Sequence, residues 1–288
     1  MKANFLILTP VYRDWKNLEK LLSKINILFS KKKKKFDLIV VDDNSRQKIK
    51  KNKLKFSRIK RIRIIKLNEN LGSQRAIAIG LKFIQKHYSK SYNTIIIDSD
   101  GQDNPIGILK MIKKMEKTNS PVVASRGQRK EERWFKFFYE VYCILIFFLT
   151  FKKIRFGNFS ILKETDVNKI LKDKNLWNAY PPTLAINLKK IQSITIDRER
   201  RLSGKSKVNF FGLIYHALRV FSVLKNRILV SSLLYMIFSY NFFFNNYYTL
   251  FILVLSFFVS LNLINFLLSS INKKKFVQEF KKIKVLKF

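Results

Sequence analysis

The stretch Thr94–Gln102, with the sequence TIIIDSDGQ, runs four β-branched residues directly into two aspartates, Asp98 and Asp100, that lie two positions apart. The β-branched residues predict a buried strand. Because alternate residues of an extended chain point to the same side, both carboxylates are expected to face one point. Two neighbouring carboxylates repel each other, and a divalent cation bound to both removes that repulsion. The alternative is a solvated polar turn at the end of the strand.

The hundred residues that end at this stretch alternate between strand and helix patterns. Short apolar runs begin at Phe5, at Phe36 (FDLIVV) and at Arg61 (RIRIIKL), and polar residues follow each of them. Apolar residues at helical spacing mark Trp15–Phe29 and Leu71–Tyr88. This order predicts an α/β protein with a mostly parallel sheet that is covered on both faces. Ligands of such sheets bind beyond the carboxyl ends of the strands, so the segments TPVY, DDNS, NENLG and DSDGQ are predicted to form one site.

The composition favours an anionic partner. The chain has 288 residues, of which 58 are Lys or Arg and 19 are Asp or Glu, for a formal net charge of +39. Such a charge attracts phosphorylated substrates, anionic membranes or nucleic acid. Lys, Asn, Ile and Phe are enriched together, however, and A/T-rich codons alone would produce part of that excess. The single cysteine, Cys143, excludes an intrachain disulfide and fits a reducing compartment.

The last quarter of the chain predicts a membrane hairpin. Between Arg227 and Lys273 there are 45 residues without a charge. Residues 249–271 would form a helix of ~34 Å, enough to cross a hydrocarbon layer of ~30 Å, and residues 228–244 give a second, shorter span. Lys225 precedes the pair and lysines follow it, so both ends are expected to stay cytoplasmic. The alternative is a hairpin buried in a soluble protein, which is hard to achieve in so basic a chain.

A third apolar stretch, residues 134–151 (WFKFFYEVYCILIFFLTF), is interrupted by Lys136 and Glu140. Its uncharged part, Val141–Phe151, is too short to cross a bilayer. An amphipathic and aromatic segment of this kind suits the membrane interface. A plain core helix is the alternative.

Two further segments carry candidate ligands of a nucleotide. Asp42 and Asp43 follow the strand LIVV, where carboxylates of dinucleotide-binding folds accept hydrogen bonds from ribose or base. Helix N-capping is their alternative role. Gly72, in NENLGSQRA, permits close approach of a ligand, and the helix that follows, with Arg75, favours a phosphate. An ordinary loop glycine is the alternative there.

The segment DRERRLSGKSKVNFFG, residues 197–212, is a basic cluster around a glycine. Arginine forks and lysine ammonium groups suit phosphate oxygens. Attraction of anionic lipid is the alternative, but the glycine and serines are not needed for it. The two histidines, His87 and His216, are isolated, and the sequence has no zinc-ligand spacing, nucleophile triad or Walker motif.

Taken in order, these segments resemble the family 2 glycosyltransferases with the GT-A fold. The matching segments are LTPVYRD, LIVVDDNS, NENLGSQRAIAIG, IIIDSDGQDNP, ASRGQRKEERWFKFFYEVY, RFGNFSILKETDV and RRLSGKSKVNF, which cover Asn4 to about Phe221. The ordered set is far more specific than any single member. The ending Arg-X-X-Gly-X-Ser-Lys at Arg201–Lys207, followed by a membrane hairpin, is similar to dolichyl- and undecaprenyl-phosphate sugar synthases.

The resemblance implies a nucleotide-sugar donor at the sheet edge. The residues implied to bind that donor are Pro10, Tyr12, Asp42, Asp43, Gly72, Gln102 and Arg126. The residues implied to act in catalysis are Asp98, Asp100, Arg201, Ser206 and Lys207. Asp98 and Asp100 would hold Mg²⁺ or Mn²⁺ on the diphosphate, and Arg126 with the basic cluster would contact the donor or acceptor phosphates.

The chain departs from the family pattern at one place. Many members carry an acidic general base downstream of a Gly-Asn-Phe-like segment, whereas residues 175–190 (NLWNAYPPTLAINLKK) contain no acid. A sugar hydroxyl needs a base to take its proton, while a lipid phosphate is already anionic. The departure therefore favours a polyprenyl-phosphate acceptor, unless Asp166, Asp173 or Asp197 takes the place of the missing acid.

The sequence thus predicts a membrane-anchored, inverting enzyme that moves a hexose from a UDP- or GDP-sugar to a polyprenyl phosphate. It is expected in the cytoplasmic (inner) membrane as a multi-pass protein, with its catalytic domain on the cytoplasmic side. The predicted division is a GT-A domain at 1–221, a two-span hairpin at 222–275 and a basic cytoplasmic tail at 276–288. The expected partners are the donor, the acceptor and a lipid membrane, without nucleic acid, and a homo-oligomer is left open.

Two other hypotheses remain. A sugar-to-sugar transferase of surface polysaccharide or lipid-linked glycan assembly is the second enzyme hypothesis. A membrane-tethered binding protein with a degenerate transferase domain is a third, and the intact pair Asp98 and Asp100 argues against it.

Overall fold

The computed structural model describes residues 4–47, 54, 56–88, 91–126, 133–199, 201 and 210–287, without the side chains of residues 126, 133–139, 210, 211, 213 and 271–274. The strands are β1 (Asn4–Val11), β2 (Phe36–Asp42), β3 (Ile59–Lys66), β4 (Tyr92–Ile96), β5 (Val122–Arg126), β6 (Phe156–Lys163), β7 (Gln192–Ile196) and β8 (Lys284–Lys287). The helices are α1 (Trp15–Lys31), α2 (Ser73–His87), α3 (Ile106–Thr118), α4 (Arg133–Thr150), α5 (Glu164–Lys172), α6 (Tyr180–Asn187), α7 (Phe210–Val223), α8 (Lys225–Phe243) and α9 (Tyr248–Lys281). A 3-10 turn at Lys174–Trp177 joins α5 to α6.

The strands form one sheet in the order β7-β5-β6-β4-β1-β2-β3-β8. β3, β2, β1 and β4 are parallel neighbours, which confirms the α/β pattern predicted for the first hundred residues. β6 runs antiparallel to both β4 and β5, and β8 runs antiparallel to β3. The sheet as a whole is therefore mixed.

Helices cover both faces of the sheet, as apolar strands require. One face packs against α2, α5 and α6, and the other packs against α1 and α3. Gly80 lets α2 approach the sheet closely, since a Cβ there would lie 2.4 Å from Cδ1 of the fully buried Leu8. This close packing fixes the start of α2 beside the carboxyl ends of the strands.

A third apolar cluster joins α4, α7, α8 and α9 beside the sheet domain. Unlike the two sheet clusters, these helices leave many large apolar side chains exposed, including Ile144, Phe148, Leu234, Phe257 and Phe266. Within the described residues, α9 alone is long and apolar enough to cross a membrane. α8 meets the same test only together with residues 214–223 of α7, across a bend of 87°.

The end of the chain returns to the sheet domain. α9 continues through the lysines that follow the predicted span, and Phe276 stacks on Trp177 with ring centres 5.1 Å apart. β8 then pairs with β3 at the edge of the sheet. Residues 276–288, predicted as a tail, thus include the last turns of α9 and a strand of the catalytic sheet.

Candidate active site

The carboxyl ends of the parallel strands meet at one edge of the sheet. The backbone amide of Asp43 donates to the carbonyl of Val11 at 2.8 Å, and that of Ile97 donates to the carbonyl of Leu8 at 3.1 Å. These bonds continue the ladders of β1 with β2 and β4 beyond the last paired residues. The polar segments that follow these strands therefore lie together, as their positions after parallel strands predict.

Asp98 lies just after β4 and is held by an amide network. Both of its carboxylate oxygens accept hydrogen bonds from Nδ2 of Asn158, at 3.0 and 3.3 Å. Oδ1 of Asn158 in turn accepts from Nε2 of Gln74 at 2.9 Å, and Oε1 of Gln74 accepts from the backbone amide of Tyr180 at 2.8 Å. The network fixes the amide orientations, because each donor faces an acceptor. It joins β4, β6, α2 and α6 at a single carboxylate.

Asp100 follows in the same turn; Asp98 and Asp100 are both partly exposed, and Ser99 between them is buried. Oδ1 of Asp100 accepts from the backbone amide of Gln102 at 3.0 Å. Its Oδ2 lies 3.8 Å from Nη1 of Arg201. Exposure therefore alternates along this turn, and both carboxylates are partly open to solvent.

Arg201 joins the basic segment to this turn through two aspartates. Besides Asp100, its guanidinium forms an ion pair with Asp14, which also accepts from Nδ2 of Asn17 at 2.7 Å. The preceding residues support this placement, because the backbone amide of Glu199 donates to the carbonyl of Gln102 at 2.8 Å. The fold thus brings Arg201 to Asp100 across a hundred residues of sequence.

Asp42 and Asp43 are both buried, but they have different partners. Oδ1 and Oδ2 of Asp43 accept from the backbone amides of Leu71 and Gly72, at 2.7 and 2.8 Å. Burial raises the pKa of the Asp43 carboxyl, and these two amides act in the opposite direction. Asp42 accepts from the backbone amide of Ser45 through Oδ1 at 2.9 Å. Since Asp43 already holds the loop before α2, Asp42 is the better candidate of the two for a nucleoside contact.

Gly72 immediately precedes α2 and has φ +87° and ψ 157°, a backbone conformation that is open essentially to glycine alone. A Cβ at this position would meet no atom within 4 Å. The glycine is therefore required by the backbone conformation, and the space beside it is open. Pro10 is buried at the carboxyl end of β1, and the guanidinium of Arg13 lies 5.2 Å from the ring centre of Tyr12.

The structure does not describe the side chains of three predicted site residues. Ser206 and Lys207 lie outside the described residues. The backbone of Arg126 ends β5, which lies two strands from β4, and its side chain is outside the description.

The acids that could replace the missing general base have separate locations. Asp166 accepts from the backbone amide of Lys163 near the start of α5, and Asp173 caps the 3-10 turn through Asn175. Asp197, in contrast, lines a small cavity of about 20 Å³ together with Asp98 and Asp103. Of the three acids, Asp197 is the one beside the candidate donor site.

The donor set fits a divalent cation that is shared with a ligand. Within the described residues, no group of three or more Asp, Glu, His or Cys side chains could enclose a metal ion. Asp98 and Asp100 supply hard oxygen ligands, which suit Mg²⁺ or Mn²⁺, and leave the remaining positions for diphosphate oxygens and water.

Sequence reasoning missed Asp14, Gln74 and Asn158. Asp14 lies in the segment LTPVYRD, Gln74 in NENLGSQRA and Asn158 in RFGNFS. These segments were recognised, but no local sequence pattern predicts the contacts that the three residues make. Their partners Arg201, Asn158 and Asp98 lie 187, 84 and 60 residues away along the chain, respectively. A polar residue next to a predicted strand end was the one available signal.

The sheet edge thus combines paired aspartates with a basic side chain at the place where α/β sheets bind nucleotide ligands. The chain belongs to glycosyltransferase family 2, because the family model described as glycosyl transferase family 2 matches residues 6–178. It is therefore a glycosyltransferase with a GT-A domain.

The names of two curated relatives specify a glycosyltransferase but no substrate. An uncharacterized glycosyltransferase of Synechocystis sp. is 27% identical over 231 residues, which are 76% of this chain and 68% of that protein. The uncharacterized glycosyltransferase YkcC of Bacillus subtilis is 28% identical over 220 residues, 70% of this chain and 62% of that protein. The chain thus spans less than two thirds of the second relative.

Two solved structures share the fold. Residues 1–349 of Staphylococcus aureus TarS, in complex with UDP-GlcNAc, are 14% identical with a TM-score of 0.50, over 97% of this chain and 92% of that one. Glucosyl-3-phosphoglycerate synthase from Mycobacterium tuberculosis, in complex with Mn²⁺, UDP and glucosyl-3-phosphoglycerate, is 13% identical with a TM-score of 0.52, over 79% and 80% of the two chains. At such identities the likeness concerns the fold alone.

Proposed function

We propose that this glycosyltransferase moves a hexose from a nucleotide sugar to a polyprenyl phosphate at the cytoplasmic face of the inner membrane. The observation that carries the proposal is the exposed apolar surface of α4, α7, α8 and α9 beside the catalytic sheet. Soluble monomers rarely expose large contiguous apolar surfaces. A lipid acceptor would reach a site that is joined to such a surface.

The donor side of the proposal rests on Asp98, Asp100 and Arg201. Asp98 is oriented by Asn158, and Asp100 is oriented by the backbone amide of Gln102. A divalent cation, when bound here, supplies positive charge to the leaving diphosphate. Arg201 adds a second positive charge beside Asp100. The complexes of the two structural neighbours, one with UDP-GlcNAc and one with UDP, support a nucleotide-sugar donor for this fold.

The acceptor chemistry requires no strong base. An oxygen of the acceptor phosphate forms a bond to the anomeric carbon while the bond from that carbon to the diphosphate oxygen breaks. The electron pair leaves with the nucleoside diphosphate, and the sugar carbon inverts. The acceptor oxygen is already anionic near neutral pH, which agrees with the absence of acids from residues 175–190.

The positions of the hairpin ends support the proposed membrane topology. α8 begins at Lys225 on the sheet-domain side, where Nζ of Lys225 donates to Oγ of Ser269 on α9 at 3.0 Å. Oγ of Ser269 donates to Oδ1 of Asn175, at the 3-10 turn of the catalytic domain, at 3.0 Å. Both ends of the hairpin thus adjoin the catalytic domain, which supports a cytoplasmic placement of that domain by the distribution of lysine and arginine.

Asp197 favours a second candidate function, transfer to a sugar hydroxyl. Its position beside Asp98 would allow it to accept the hydroxyl proton. Asp197→Asn separates the two functions, because a phosphate acceptor does not need this carboxylate and a hydroxyl acceptor does.

The proposal is tested by incubating membranes that contain the protein with radiolabelled UDP- and GDP-sugars and added polyprenyl phosphate. We expect label in a lipid fraction that is released by mild acid, and loss of more than 99% of it in Asp100→Ala, since that variant removes one of two cation ligands. We expect Asp197→Asn to retain activity within about threefold. Extension of a glycan without labelling of any lipid phosphate would rule out the proposed acceptor.

A further inference from the structure

Arg219, in α7, is a buried cation without an opposite charge in the described part of the chain. It is 6% exposed, and its Nη2 donates to the backbone carbonyl of Trp177 at 2.9 Å. Its Nε has no hydrogen-bond partner among the described residues, and none of their carboxylates pairs with it. A buried charge is costly unless it is paired. The arrangement therefore suits a ligand that brings a negative charge.

Arg75, in the first turn of α2, adds a second guanidinium to the same region. It is 9% exposed and lies 5.2 Å from the centre of the Trp177 ring. Burial, followed by the charge of Arg75, lowers the pKa of Arg219 to about 10. The charge of Arg75 also acts on the Asp43 carboxylate, whose pKa it lowers. Arg219 is therefore the guanidinium here that a bound anion would stabilise, against both its burial and its repulsion from Arg75.

Trp177, whose carbonyl Arg219 contacts, and the next residue, Asn178, have further unsatisfied polar groups in their side chains. Nε1 of Trp177 is buried without a hydrogen-bond partner in the described residues. The same is true of both side-chain polar atoms of Asn178, which is fully buried. Buried polar groups in folded proteins are nearly always satisfied. Both residues offer N–H donors, which phosphate oxygens accept.

This cluster is connected to the apolar surface on one side and to the candidate donor site on the other. The ring of Tyr215, 46% exposed on α7, has its centre 5.8 Å from the Arg219 guanidinium. Arg219 therefore lies beside a side chain that reaches the surface of α7. In the other direction, Gln74 precedes Arg75 and reaches Asp98 through Asn158.

We propose that Arg219 and Arg75 bind the phosphate group of the lipid acceptor, with Asn178 and Trp177 as further donors. The inference rests on the proposed function for the identity of that acceptor. Two guanidinium forks hold phosphate oxygens by pairs of charged hydrogen bonds. The prenyl chain leaves past Tyr215 along the exposed apolar face of α7 and α8. The acceptor phosphate is thereby held next to the residues that orient Asp98.

The test uses the full-length protein in detergent, with farnesyl phosphate as a soluble probe and inorganic phosphate and UDP as separate arms. We expect Arg219→Gln to raise the half-saturating concentration of farnesyl phosphate roughly 10- to 100-fold, the loss expected for charged hydrogen bonds. Binding of UDP should change less than about twofold. Arg227→Gln is the matched control, since Arg227 also faces a backbone carbonyl, that of Thr150 at 3.5 Å, but is exposed.

Hydrogen exchange of the wild-type protein provides a measurement that needs no variant. Farnesyl phosphate should slow exchange in peptides that cover Lys174–Trp177 and α7, and UDP should not. Slowing by inorganic phosphate as well would support the phosphate group as the ligand, and slowing by farnesyl phosphate alone would support the lipid phosphate. Unchanged exchange with both probes, together with unchanged binding in Arg219→Gln, would overturn the inference. If farnesyl phosphate binds at Arg219 but no sugar reaches a prenyl phosphate, the proposed function fails and this site stands.

Discussion

Asn158 holds the first aspartate of the candidate metal pair through both carboxylate oxygens, and Gln74 holds Asn158 in turn. Such outer contacts fix the orientation of a metal ligand and tune its affinity. The arrangement orients Asp98 for a cation, although no cluster of three or more ligand side chains among the described residues encloses one. The geometry of the ligand is set by amides from β6 and α2, and its remaining partners come with the substrate.

We predict that Asn158→Ala raises the Mn²⁺ concentration for half-maximal activity by about 10- to 100-fold, because Asp98 loses the amide that orients it. Asn168→Ala is the matched control. Oδ1 of Asn168 also accepts a hydrogen bond from a side chain of α2, from Nε2 of Gln85 at 2.9 Å. No hydrogen bond joins Asn168 to Asp98. Metal titrations of sugar transfer measure the difference, and equal responses of the two variants would contradict the role of Asn158.

At the scale of elements, Asp43 ties the loop before α2 to the end of β2. Its two oxygens accept from consecutive amides, which positions Gly72 and the first turn of the helix. Burial is the largest influence on this carboxyl and raises its pKa above the usual range. A raised pKa means that the folded state holds the proton more tightly than the unfolded state does.

We therefore predict a pH-dependent difference in stability between the wild type and Asp43→Asn. As pH rises from the unfolded pKa of about 3.8 through the raised folded value, the unfolded wild type ionises first, so wild-type stability should fall relative to the variant. Urea unfolding in detergent between pH 4 and 7 measures the difference in unfolding free energy between the two proteins. Titratable groups that both proteins share contribute equally and cancel in this difference. A relative stability that rises with pH would show that the Leu71 and Gly72 amides outweigh burial.

At the scale of the whole molecule, the exposed apolar side chains of α8 and α9 require an apolar environment. In water, lysine on an exposed helix surface has little effect on stability. In the centre of a bilayer, each lysine costs about 2.5–3.5 kcal/mol of insertion free energy. Substitution at exposed positions thus distinguishes a lipid-facing surface from a water-facing one.

We predict that Ile237→Lys combined with Leu253→Lys reduces the fraction of protein that stays in membranes after a carbonate wash by more than half. The two positions are 61% and 64% exposed. Val277→Lys is the control on the same helix α9, because Val277 is 52% exposed but lies beyond the apolar span. Retention of the double variant equal to that of Val277→Lys would argue against a membrane hairpin.

The sequence by itself determined the α/β class, the parallel orientation of the first four strands, the position of Asp98 and Asp100 at a strand end, and the apolar run of the last quarter. Each of these is a local or periodic property, because strand burial, helical spacing and charge are read over a few residues at a time. Only the tertiary structure decided that Asn158 and Gln74 orient Asp98, that Arg201 reaches Asp14 and Asp100, that Asp43 holds a loop, and that Arg219 is buried near Arg75. It also decided that β6 and β8 run antiparallel and that the chain end returns to β3. These contacts join residues far apart in the chain, and they depend on which elements pack together, which no local pattern contains.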